Sequence, residues 1–202
     1  FVWGLKPSSY TFRQQAADGR FAVVAMEDGF LRSFRSGQAV PPLSLVADRS
    51  GIYYDGLRSS ALEGVLNAED EASRISTVNL ERVHMARNTI VSEGLSKYNH
   101  APDFYPNVFE EYDWAHRKKI LVIDQTFGDM SLVYGGADAE SFQRMLAAAR
   151  AEHPEVLIVV KTHPEVSGGK KRGYLSQVQE DERTCVLRDS VNPIQLLQAV
   201  DA

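Results

Sequence analysis

One cysteine, Cys185, stands among 202 residues. It cannot close an internal disulfide, which excludes the disulfide-stapled scaffolds of small secreted domains and suits a reducing compartment. No apolar run approaches the roughly 20 residues that a membrane-spanning helix needs. The opening FVWGLKPSSY has neither the charged region, the apolar stretch nor the cleavage site of a signal peptide. Together these absences make the cytoplasm the expected compartment. Scattered histidines and a lone cysteine give no zinc-ligand spacing. No GxGxxG follows a strand-like run, and SGGKKRG lacks the spacing and final Ser or Thr of a phosphate-binding P-loop. A GxSxG nucleophile elbow is missing as well.

What is present is ordinary for a globular chain, with 44% hydrophobic and 24% charged residues and a length that fits one or two domains. A formal net charge of -5 argues against a general nucleic-acid binder. Basic residues gather at His116 to Lys119 and at Lys170 to Arg172, and acids at Glu69 to Glu71. Such runs are commonly solvated faces.

The hydrophobic pattern alternates between strands and helices. Phe1 to Trp3 is a short apolar start, a polar helical stretch follows, and Phe21 to Ala25 reads as a buried strand. Leu43 to Ala47 is another apolar segment, and about Ser60 to Glu93 is helix-rich. Asn99, Pro102, Pro106 and Asn107 mark an irregular connection, with a domain boundary expected near Trp114. KKILVIDQ then has the form of a buried parallel strand. Asp138 to Glu152 predicts an amphipathic helix with Phe142, Met145, Leu146 and Ala149 on its apolar stripe. Strands at Val156 to Val160 and Thr184 to Leu187 and a helix from Pro193 to Val200 complete the pattern. Strand–helix alternation of this kind implies an α/β fold with parallel sheets.

Three groups of polar residues sit at predicted strand ends, where open α/β sheets bind ligands. Glu27 and Asp28 follow FAVVAM, with Gly29 permitting a tight turn; they either face a cleft, cap that turn or pair with Arg32. Asp124, Gln125, Thr126 and Asp129 follow KKILVI in DQTFGDMS. A carboxylate there serves as a nucleophile, a base or a helix cap, and the residues alone leave all three open. Lys161 and His163 alternate along the end of the next strand, and Gly168 and Gly169 predict a flexible turn presenting Lys170, Lys171 and Arg172. A cation-rich strand-end loop suits a phosphate or a sugar-acid carboxylate.

EDGFLRS (27–33), PPLSLVADRSGIYYD (41–55), SKYN (96–99), DQTFGDMS (124–131) and VKTHPEVSGGKKRGY (160–174) occur in this order. The set resembles the capsule polysaccharide β-Kdo transferases of the KpsC type. PPLSLV and DQTFGDMS look more like the first, N-terminal-type catalytic module of those proteins than the second. The resemblance implies a GT-B-like architecture: residues 1–113 as an acceptor-side Rossmann-like domain and 114–202 as a partial donor-side one. The chain is then expected to be incomplete at both ends. It lacks a further donor-domain strand and a Gly-containing helix start that the family has, so residues 1–202 alone are expected to bind donor poorly.

The resemblance further implies a retaining glycosyltransferase that takes Kdo from CMP-β-Kdo onto a Kdo-phosphatidylglycerol lipid, in contact with the inner membrane as a peripheral protein. Asp129 falls at the family's nucleophile position, and Glu27 is the candidate for activating the acceptor hydroxyl. Lys161, His163, Lys170, Lys171, Arg172, Gln125 and Thr126 are the expected donor-binding residues. Because a monophosphate donor lacks the diphosphate that commonly chelates a divalent ion, neither a metal nor another cofactor is expected. The competing expectations are a non-catalytic module for anionic glycans or nucleotides, and another sugar-nucleotide enzyme on the same architecture.

Overall fold

The computed structural model describes residues 1–35, 40–68, 77–110 and 116–202. The expected domain boundary at Trp114 and the acidic run Glu69 to Glu71 lie outside them. Two compact units emerge: Phe1–Asn99 with Tyr134–Gly136, and His100–Val133 with Ala137–Ala202.

The first unit holds a three-stranded sheet of β1 (Val2–Trp3), β2 (Ala25–Asp28) and β3 (Leu45–Asp48) in the order β1-β2-β3. β1 runs parallel to β2, whereas β3 runs antiparallel to it, so this sheet is mixed rather than purely parallel. The strand expected over Phe21–Ala25 lies over Ala25–Asp28 instead. Val2 and Trp3 stand in register with Ala25 and Met26, the Val2 N–H donating to the Val24 carbonyl at 3.0 Å, and Phe21, which precedes this ladder, is 43% exposed. Leu5, Ala25 and Ile52 form the core, with Val2, Val46, Tyr54 and Tyr134 packed on it. Helices span Tyr10–Ala17, Ala61–Leu66 and Thr77–Ser92. A capping box of Ser60 and Glu63 starts the second of these, and the Asp48 carboxylate takes the Ala61 N–H at 2.8 Å.

The second unit is built on a parallel sheet of β4 (Lys119–Ile123), β5 (Leu157–Lys161) and β6 (Thr184–Leu187) in the order β4-β5-β6. Every residue of β5 is buried, because layers cover both faces of its continuous apolar run. Alternate residues go to opposite faces, as the period of two demands. Leu157 and Val159 pack with Phe104, Phe109, Cys185 and Leu196; Ile158 and Val160 pack with Val122, Phe142, Leu146, Leu175 and Val186. The helices Ala139–Glu152 and Pro193–Gln198 contribute to these two layers, capped by Asp138 and Asn192. Met145, expected on the apolar stripe of the first helix, is 39% exposed, since only Phe142 and Leu146 of that stripe are fully buried. Lys119, from the basic run, is also buried, its Nζ 5.2 Å from the Phe109 ring centroid. Asp201 and Ala202 lie along the outer edge of β4: Ala202 N–H donates to the Lys119 carbonyl at 3.2 Å and the Leu121 N–H to the Ala202 carbonyl at 2.6 Å.

Candidate active site

The register of the second sheet aligns its carboxyl ends, with Lys161 of β5 opposite Ile123 of β4 and Leu187 of β6. Asp124 and Thr162 therefore leave the sheet side by side, and the Asp124 N–H donates to the Lys161 carbonyl at 2.9 Å. Beyond these ends, the segments 124–131 and 161–175 are knitted together. Thr126 and Gly173 form an antiparallel bridge, and the Phe127 N–H reaches the Arg172 carbonyl at 2.7 Å.

Asp129 precedes the short helix Met130–Tyr134. Its Oδ1 accepts the Ser131 N–H at 2.9 Å and the Ser131 hydroxyl at 2.6 Å. This is the helix-cap geometry that the sequence left open, and it orients the half-buried carboxylate. No hydrogen bond to Asp129 Oδ2 is found among the described residues. Gly128, at φ 79°, supplies the left-handed turn that sets Asp129 apart from the buried Thr126.

His163 caps the helix Pro164–Ser167, and its Nδ1 accepts the Glu165 N–H at 3.1 Å. With Nδ1 an acceptor, the neutral ring carries its proton on Nε2. Burial holds the imidazole pKa below its ordinary value, opposed by the charge of Glu165; Lys171 lowers it further, while Asp129 raises it and Lys161 lowers it. The loop carboxylate, the strand-end lysine and the basic turn thus all act electrostatically on this one ring.

Lys161 is buried, and its Nζ donates to the Thr162 carbonyl at 2.6 Å. Burial pushes its pKa down to about 8, against the opposing charge of Asp189. The turn after Gly168 carries backbone hydrogen bonds. Gly169 takes φ 69°, and the Lys170 and Lys171 N–H groups both donate to the Glu165 carbonyl, at 2.9 and 3.1 Å. Lys170, Lys171 and Arg172 are exposed, with Lys171 paired to Glu165 at 2.8 Å. Gln125 is half-buried, its Oε1 accepting the Thr126 N–H at 2.7 Å.

Glu27 belongs to the first unit, at the carboxyl end of β2. Its Oε1 accepts the Asp28 N–H at 3.0 Å. Of the two adjacent acids it is Asp28 that pairs with Arg32, at 2.8 Å, which leaves Glu27 outside the ion pair. Arg32 is buried at φ 54°, an unusual conformation for a residue with a Cβ. Its carbonyl accepts the Leu43 and Ser44 N–H groups, closing the loop after β2. Gly4 lies against this acid: a Cβ there would be 2.9 Å from Glu27 Oε2 and would collide with Tyr54 Oη.

Two residues outside the expected catalytic and donor-binding set complete the second-unit site. Asp124, 1% exposed, gathers three peptide N–H groups, and Thr162 hydroxyl contacts tie β5 to β6. The signal for Asp124 was an acid at a strand end with a glycine far along the chain at Gly173, a pairing no local pattern exposes. Among the described residues, no group of three or more His, Cys, Asp or Glu is placed to hold a metal ion.

Polar groups gathered at the carboxyl ends of parallel strands mark an α/β protein with its candidate site where open sheets of this kind bind ligands. Within that class the chain belongs to the capsule polysaccharide biosynthesis protein family, which it matches over residues 1–202. It is 44% identical over 203 residues to the capsule polysaccharide modification protein LipA of Neisseria meningitidis serogroup B, covering 98% of this chain and 28% of that protein. The chain therefore spans well under half the length of that relative. Among solved structures it resembles the Thermosulfurimonas dismutans KpsC β-Kdo 2,4 transferase, with a TM-score of 0.87 and 38% identity over 99% of this chain and 60% of that one. The β-Kdo 2,7 transferase of the same organism's KpsC gives a TM-score of 0.57 and 25% identity over 99% of this chain and 55% of that one. No helix among the described residues is long and apolar enough to cross a membrane.

Proposed function

We propose that this chain is the greater part of a GT-B-like β-Kdo transferase module that builds the Kdo linker of a capsule glycolipid from CMP-β-Kdo onto Kdo-phosphatidylglycerol. The observation that carries this reading is the likeness to the KpsC β-Kdo 2,4 transferase over 99% of the chain. That likeness exceeds the one to the 2,7 transferase, which favours the 2,4 linkage.

The site chemistry supports retention through two displacements. Asp129 is the nucleophile: with Oδ1 held by Ser131, Oδ2 attacks the anomeric carbon as the bond to the CMP phosphate oxygen breaks. An acceptor hydroxyl then displaces Asp129, restoring the original configuration, and gives its proton to a base, the role for which Glu27 is the candidate. The departing phosphate gains negative charge, which the His163 Nε2–H and the Lys161 ammonium stabilise. Lys170, Lys171 and Arg172 hold the sugar carboxylate or the phosphate, while Gln125 and Thr126 shape the loop under the donor. Lys171 exchanges its contact with Glu165 for one to the donor. The protein works from the cytoplasmic side as a peripheral protein of the inner membrane.

The test is transfer from CMP-Kdo to a Kdo-lipid mimic by the full-length protein. Asp129→Ala is expected to reduce turnover by about a thousandfold or more, since loss of a covalent nucleophile removes the double-displacement route. Wild-type rates in that variant, or a Kdo adduct trapped on a peptide without Asp129, overturn the assignment.

A further inference from the structure

The reaction above gives Asp124 no part, although it is 1% exposed at the end of β4. Its Oδ1 accepts the N–H groups of Gln125 at 2.8 Å, Tyr174 at 2.9 Å and Leu175 at 3.0 Å. Its Oδ2 is buried without a hydrogen-bond partner. That oxygen occupies the space beside Gly173 that a Cβ would need, so any larger residue at Gly173 would collide with it.

The surrounding backbone follows the same pattern. Asp124 N–H is bonded to the Lys161 carbonyl, Thr126 pairs with Gly173, and Phe127 N–H is bonded to the Arg172 carbonyl. The Asp124 side chain therefore joins the loop that carries Asp129 to the segment that follows Lys170 to Arg172, and its backbone N–H ties both to the strand end that precedes His163. Without that carboxyl oxygen three N–H groups in a closed junction would lack an acceptor.

We propose that Asp124 is a positioning residue that, with Gly173, locks the basic turn onto the Asp129 loop and thereby sets affinity for the anionic donor. This deepens the donor reading of that turn and rests on it. It assigns Asp124 no contact with the reacting atoms.

Full-length wild type is compared with Asp124→Ala, Asp124→Asn and Gly173→Ala by two measurements. In Asp124→Ala and Gly173→Ala, amide exchange of Arg172–Leu175 is expected to accelerate about tenfold or more, while Ile158–Val160 keep their protection. In the same variants the KM for CMP-Kdo is expected to rise about tenfold, with kcat changing less than about threefold, as expected when binding groups are misplaced. Asp124→Asn keeps an oxygen where Oδ1 sits and should fall between wild type and alanine. Unchanged exchange at Tyr174 and Leu175 in Asp124→Ala overturns the proposal. So does a fall in kcat at constant KM, the sign of a merely structural role. Should wild type fail to use CMP-Kdo at all, the functional reading falls, and the exchange result still decides the junction.

Discussion

Lys161 is a buried cation with an ordinary pKa of 10.5 lowered to about 8. The difference, 10.5 minus 8, is about 2.5, and at about 1.4 kcal/mol for each pKa unit the charged form is disfavoured by roughly 3 kcal/mol. Replacing it with methionine keeps much of the length and volume and removes that penalty. The hydrogen bond from Nζ to the Thr162 carbonyl is lost, which offsets about 1–2 kcal/mol. Lys161→Met is therefore expected to be about 1–2 kcal/mol more stable than wild type near pH 7 while losing transfer activity. The pH dependence makes the test specific. Below pH 8 the lysine is charged in both states, and the burial penalty is fully present. Between about 8 and 10.5 the unfolded chain holds more protons than the folded one, so wild-type stability rises with pH relative to the variant. Urea unfolding of both proteins at pH 7, 8, 9 and 10, followed by circular dichroism, measures the difference. An advantage that stays constant across that range refutes the reasoning, as does a variant less stable at pH 7.

Two further expectations concern other parts of the chain. Cys185 is 2% exposed, and burial raises its thiol pKa to about 11, so iodoacetamide should leave it unmodified in the native protein and alkylate it in urea. Rapid native labelling, read by intact mass, would contradict that burial. Gly4→Ala places a Cβ at φ 52° against Tyr54 Oη and 2.9 Å from Glu27 Oε2. It should cost about 2 kcal/mol or more from left-handed strain and crowding, measured by urea titration, and a neutral result would show that the Glu27–Tyr54 region yields easily.

The second unit was largely legible in the sequence because its signals are local. β5 is an apolar run closed by Lys161 and buried on both faces, and β6 occupies the predicted Thr184–Leu187. The helix at Ala139–Glu152 begins where the cap residue Asp138 stands. In the first unit the strands are only two to four residues long, too short for periodicity to fix their limits or direction. Their bounds depend on which distant segment offers hydrogen-bonding partners. The antiparallel entry of β3 was illegible for that reason.

The sequence by itself determined the α/β character, the strand ends where polar groups gather and the family signature in DQTFGDMS and VKTHPEVSGGKKRGY. Composition and spacing are chain properties, and they survive without coordinates. Only the tertiary structure decided that Asp28 rather than Glu27 pairs with Arg32, that Asp129 holds Ser131 through one oxygen, and that Asp124 closes on Gly173. Those choices depend on atoms 2 to 50 positions apart meeting within hydrogen-bond or van der Waals distance. A short window offers the local pairings as alternatives without choosing among them, and the contact between Asp124 and Gly173 leaves no imprint in any such window.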